Sequence, residues 1–112
     1  MSVSYEGIGH LSVTMPAMGC VQGAVCGINT VGYAKACSAG DKFIGMVEEM
    51  DGIRASVQLE GFVKTSYTGT HPTVGFVCLA ADGAGNVAVN ANGREYLVVS
   101  VDANSKTLVF KL

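Results

Sequence analysis

Residues 83–88 read GAGNVA and satisfy G-x-G-x-x-A, a glycine pattern with which a strand-to-helix turn cradles a dinucleotide pyrophosphate. That chemistry needs a strand before the glycines and a helix after them, because the phosphate sits on helix N-terminal amides. The strand is available in TVGFVCLAA, but the helix is not. NVAVNANG alternates Val87 and Val89 with polar neighbours and ends on Asn92-Gly93, the pattern of a strand running into a turn. Asp102 stands near the spacing of a ribose-binding acid, yet it falls in the turn DANSK. Asp82 could open an ion loop, but DGAGN supplies one carboxylate and one amide. Calcium takes several oxygen ligands and a bidentate acid. The segment is therefore expected to be a turn between two strands, with positive φ at Gly83 or Gly85.

The other reactive residues are sparse. Cys20, Cys26, Cys37 and Cys78 are separated by five, ten and forty residues, which matches no common zinc spacing and contains no C-x-x-C. Cys26 and Cys78 lie in the apolar runs AVCGI and GFVCLA, so buried free thiols are expected. His10 and His71 are far from any cysteine in sequence, although a Cys–His pair can meet in space. His71 precedes Pro72 and reads as a surface turn residue. Glu48 and Glu49 are adjacent, so in a strand they point to opposite faces and cannot act as a carboxylate pair. Tyr5, Tyr33, Tyr67 and Tyr96 are dispersed among the segments and read as packing residues rather than a sugar or base platform. No catalytic, cofactor-binding or metal-ligating residue is assigned, and no cofactor is expected.

The elements that would hold such residues are strands. VQLEGFV (57–63) places Val57, Leu59 and Val63 on one face and Gln58, Glu60 and Phe62 on the other. The strand is expected to run from Ile53 to Tyr67, bending at Gly61. REYLVVSV and KTLVFKL read as a closing hairpin around DANSK. Asp51-Gly52 and Asn92-Gly93 read as tight hairpin connections. FIGMVEEM, bounded by turns and about eight residues long, is read as a strand in spite of its helix-forming residues. Turns recurring every ~8–12 residues predict an all-β chain, a compact barrel or sandwich of short antiparallel strands. One domain spanning 1–112 is expected, with residues 1–22 as an N-terminal arm or an edge strand and with no internal repeat.

Composition narrows the partners. At 112 residues the chain buries enough surface for one core. Charged residues make up 14% and hydrophobic residues 49%, a balance that opposes disorder and leaves apolar surface for partners. The seven basic residues are scattered, which argues against nucleic acid or an anionic membrane as partner. No apolar run approaches the ~20 residues of a membrane span. MSVSYEGIGH lacks the basic start and apolar block of a secretion signal, so synthesis in the cytoplasm is expected.

The order of segments resembles the small head-decoration, or capsid-cement, proteins of tailed bacteriophages and prophages. The matching pieces are Ala39-Gly40-Asp41, Phe43 to Glu48, Val57 to Val63, and Pro72 to Gly75, within roughly residues 20 to 112. The resemblance implies a β-barrel without enzymatic activity that binds the outer surface of an assembled head, with the major capsid protein as partner. It also implies a homo-oligomer, commonly a trimer, located on the virion. Two other classes stay open on the residues alone: a small ligand- or carbohydrate-binding β-domain, and a minor cysteine-dependent enzyme. Thermal melts with NAD, ATP or calcium are expected to show no shift; a reproducible rise of several degrees with any of them would overturn the turn reading of GAGNVA.

Overall fold

The long alternation around residue 61 is cut in two by Gly61, whose φ is +100°, a backbone state that side chains resist. A Cβ there would stand 3.0 Å from His10 Cα and 3.1 Å from Gln58 Nε2. The buried Gln58 amide closes the bend by donating to the carbonyls of Glu60 (3.0 Å) and Phe62 (3.3 Å). The computed structural model, which describes residues 9–112, has five strands on each side of this glycine. Before it come β1 (Leu11–Met18), β2 (Val25–Ile28), β3 (Ala34–Ala36), β4 (Gly45–Asp51) and β5 (Arg54–Glu60). After it come β6 (Phe62–Thr68), β7 (Gly75–Ala81), β8 (Val87–Val89), β9 (Arg94–Asp102) and β10 (Thr107–Lys111). The fold is all-β, as the alternation predicts, and FIGMVEEM supplies β4.

Each half closes into its own barrel, and the second repeats the first strand for strand. The first runs β1-β3-β2-β4-β5 and the second β6-β8-β7-β9-β10, each returning to its first strand. In both, the first and third strands pair in parallel, and the remaining ladders are antiparallel. The expected absence of a repeat is thus corrected. The equivalent second-to-third-strand loops show how closely the halves agree. Asn29 Oδ1 accepts from the N–H groups of Val31 (3.0 Å) and Tyr33 (2.9 Å), and Asp82 Oδ1 accepts from Ala84 (2.7 Å) and Asn86 (3.0 Å). Gly32 and Gly85 follow with φ of +89° and +95°. An Asn or Asp side chain bonding backbone amides ahead of it is the local cause of this turn.

The two interiors differ in bulk. Ala34, Ala55, Val47, Val57 and Cys26 fill the first barrel. Tyr67, Leu79, Val87, Tyr96, Val98, Leu108 and Phe110 fill the second, together with Val25 and Phe43 from the first. Phe43 stacks on Tyr96 (5.1 Å between centroids, 5° between planes) and meets Phe110 edge-on at 6.0 Å. Beside it the segment before β4 adds to the end of β7: Gly40 N–H donates to the Ala81 carbonyl (2.8 Å), and Ala81 N–H to the Asp41 carbonyl (2.9 Å). The barrels are therefore joined by ring stacking and by backbone pairing.

Several local readings change. The β4–β5 connection is Gly52-Ile53, one residue later than expected, with positive φ at Gly52. Asn92-Gly93 does not close a hairpin, because β8 and β9 both pair with β7 and the chain crosses over that strand between them. Residues 11–18 are no edge strand: β1 has β3 on one flank and β5 on the other. Residues 1–8 lie outside the described residues. Glu48 and Glu49 do not alternate, since the β4–β5 register shifts between Val47 and Glu49. Val47 and Met50 both pack inward, so the bulge places the two carboxylates between them on the outer side.

Gly45 and Gly93 are required by close approach rather than by turn geometry. An added Cβ would meet the Gln58 carbonyl oxygen at 1.9 Å and the Leu79 carbonyl oxygen at 2.3 Å. Gly45→Ala and Gly93→Ala are each expected to cost about 1–3 kcal/mol or more in urea denaturation. An unchanged midpoint for either would contradict the strand contacts described.

Candidate functional site

One cluster unites three residue types used in hydrolysis. His10 precedes β1, Ser12 is in β1, and the β4 bulge turns Glu48 outward toward both. Ser12 Oγ donates to Glu48 Oε1, His10 Nε2 lies 2.8 Å from Glu48 Oε2, and the same Nε2 lies 2.8 Å from Ser12 Oγ. Ser56 Oγ on β5 donates to Glu48 Oε1 at 3.4 Å. A catalytic triad divides the imidazole, with the acid on one ring nitrogen and the nucleophile on the other. Here both partners share Nε2. When Nε2 carries a proton for Glu48 it has no lone pair for Ser12, and Ser12 already gives its proton to the carboxylate. The arrangement ties three strands together on the outer face and lacks the geometry of a nucleophile with its base. Only the outward turn of Glu48 makes it, which adjacent glutamates in sequence do not reveal.

His71 is exposed, as expected, and its Nδ1 lies 2.5 Å from the hydroxyl of Tyr67. Tyr67 is buried, so the histidine satisfies a polar tip that the second barrel would otherwise strand. Neither histidine is thus hydrogen-bonded to a cysteine; each holds another partner.

The four cysteines are free thiols. Burial pushes the Cys26 thiol up to about 12, with the neighbouring Cys20 and Cys37 adding in the same direction. Burial also raises Cys37, with Asp41 reinforcing and Lys35 opposing, and raises Cys20 against a bond to the Met18 carbonyl. These three thiols stay protonated near neutral pH, which removes the nucleophilic form. Among the described residues, no three of His, Cys, Asp and Glu come together in a way that could hold a metal ion.

GAGNVA forms the β7–β8 loop and the start of β8, with no helix after it. Asp82 is consumed by the loop itself: Oδ1 takes two backbone N–H groups and Oδ2 takes Thr68 Oγ1 at 3.0 Å. Both glycines have positive φ, and both press on the first barrel. A Cβ on Gly83 would stand 3.0 Å from Ala39 N, and one on Gly85 would stand 3.0 Å from Ala24 Cβ. The glycines serve barrel-to-barrel contact, for which the sequence offered only the turn. Among the described residues, two surface grooves lie on the first barrel. One of about 350 Å³ runs between Glu49, Asp51 and Arg54; the other, of about 240 Å³, runs between Lys35, Cys37 and Asp41. Neither is a closed apolar pocket of the kind that engulfs a small ligand.

The class the geometry defines is a tandem of two five-stranded β-barrels. No family model, no curated protein and no solved structure matches the chain.

The raised Cys26 thiol has a consequence at alkaline pH. An unfolded chain releases that proton near 9.0, whereas the native chain keeps it to about 12. Its contribution to stability is fully present below pH 9.0 and is lost as pH rises through that window, because the native state then binds more protons. Denaturation curves from pH 8 to 11 are expected to show falling stability, with a shallower fall in Cys26→Ala. An identical slope in the variant would contradict the assignment.

Proposed function

We propose that this chain is a structural subunit without enzymatic activity, which binds the outer surface of an assembled phage head and there stabilises the shell. The observation that carries this reading is the contrast between its reactive groups and its surface. The polar clusters are absorbed by strand and turn contacts, while large apolar side chains project from the barrels: Val31 is 73% exposed, Ile53 78% and Phe76 71%. Surfaces of that kind mark protein contacts. The segments that resemble capsid-cement proteins support it as well. Gly40 and Asp41 extend β7, and Phe43 stacks against Tyr96, so those motifs build the junction of the two barrels.

The partner in this reading is the major capsid protein, and the working form is a homo-oligomer; a trimer is what the resemblance implies. Attachment is multivalent. Each subunit contributes modest contacts, and a closed oligomer spanning neighbouring capsid subunits gains avidity through effective concentration. A protein that binds only the assembled shell shifts the equilibrium away from disassembly. The nucleic-acid class gains no support, because the basic residues remain scattered.

The test is co-sedimentation with expanded heads of the parent phage, compared with unexpanded heads and with free capsid protein. Saturable binding to expanded heads, with a raised temperature of shell disassembly, is expected. Absence of binding, together with turnover in a hydrolase screen, would replace this reading with the enzyme class.

A further inference from the structure

The internal repeat makes one surface of the molecule comparable with another whose partner is known. In the second barrel, the end bearing the β7–β8 loop is covered. Gly40 and Asp41 pair with both backbone groups of Ala81, and Ala24 and Ala39 lie against Gly85 and Gly83. The register aligns Ala81 with Ile28, because Ala81 faces Val87 beside the parallel strand as Ile28 faces Ala34. The same end of the first barrel is bare. Among the described residues no loop backbone bonds to Ile28, and Ile28 is 47% exposed where Ala81 is 2% exposed.

Around Ile28 the bare end carries apolar side chains. Ile53 is brought there by its carbonyl, which accepts from Ala17 N–H at 2.9 Å, next to the Ala17–Ala34–Ile28 row. Met18 is held by the Asn29 amide, whose Nδ2 lies 3.9 Å from its Sδ. Val31 projects from the loop that corresponds to the covered one. In the second barrel the matching loop positions are small or polar, Ala84 for Val31 and Asn86 for Tyr33. The covered end needs small residues for close backbone approach, whereas the bare end offers bulk.

We infer that this end of the first barrel, formed by Met18, Ile28, Val31 and Ile53, is the docking surface for a second copy of the chain. The molecule itself shows that such an end packs against a barrel of the same fold: the first barrel closes the matching end of the second through Ala24 and residues 39–41. A second copy is also compatible in charge. Asp51 and Arg54 flank Ile53 with opposite signs, so like charges are not forced together. An unpaired strand end ringed by apolar side chains is a surface of the kind that marks a contact between proteins. This inference rests on the homo-oligomer in the reading above and not on attachment to a capsid.

The experiment is light scattering after size exclusion, without capsids, on the wild type, the double variant V31D/I53D and the variant F76D. Phe76 is as exposed as Val31 but belongs to the second barrel. The wild type is expected to show at least twice the mass of one chain, falling to a single-chain mass in V31D/I53D and unchanged in F76D. If circular dichroism shows V31D/I53D unfolded, V31S/I53S is read in its place, with the same drop in mass expected. A wild type at single-chain mass at its highest soluble concentration, or a folded V31D/I53D or V31S/I53S variant that keeps the wild-type mass, would overturn the inference. Capsid binding by a single-chain wild type would sink this inference alone, whereas an assembled wild type that ignores expanded heads would sink the capsid reading alone.

Discussion

The stacking of Phe43 on Tyr96 is the contact on which the rest of the molecule depends. A five-stranded barrel of short strands encloses little volume, and a core that small supplies limited apolar burial. The second barrel solves this with large side chains and by accepting a ring from outside its own strands. Phe43, Tyr96 and Phe110 form one aromatic group in mixed stacked and edge-on contact, a geometry that adds to simple area burial. Tyr96 also donates its hydroxyl to the Phe43 carbonyl at 3.4 Å, so its polar tip is satisfied in the same place. Remove the ring and the segment before β4 loses its anchor, and with it the backbone pairing at Ala81.

That dependence explains why the two barrels share a topology without sharing a sequence. The first is lined by alanines and valines where the second has Tyr67, Val87, Leu108 and Phe110. Small side chains let the walls of a barrel approach one another. Phe43 is not part of that core and packs in the second barrel, against Tyr96 and Phe110. The four extra residues before β4, relative to the short β8–β9 crossover, provide the length to reach it. Divergence of the cores and joining of the barrels are thus one fact seen from two sides.

The sequence announced the strands and most of the turns, because a period of two and an Asn or Asp before glycine are local signals. It concealed the repeat. Between residues 25–36 and their counterparts only Gly32/Gly85 is identical, while the shared quantity is backbone pairing, which many side chains satisfy. Asn92-Gly93 shows the same limit. A turn dipeptide tells where the chain reverses but not which strand it then joins, and here the strand between them is β7. The His10–Ser12–Glu48 cluster was illegible for another reason. It needs a bulge at Glu48, and a bulge arises from the register of two strands together rather than from either alone.

The fate of GAGNVA shows what kind of molecule this is. Glycines gathered in a loop permit a close approach, and the question is always what approaches. In a nucleotide site it is a phosphate, drawn by free amides at a helix end. Here the amides of Ala84 and Asn86 are already taken by Asp82, and the body that approaches is the first barrel, through Ala24 and Ala39. A loop whose donors are satisfied internally and whose outer surface is smooth can only pack. The first barrel keeps the same internal hydrogen bonds at Asn29, which fixes the loop equally well, but it replaces smoothness with Val31 and Tyr33. A turn whose backbone is already fixed by its own hydrogen bonds loses less backbone entropy when its exposed apolar side chains meet a partner, which favours contact by a small surface.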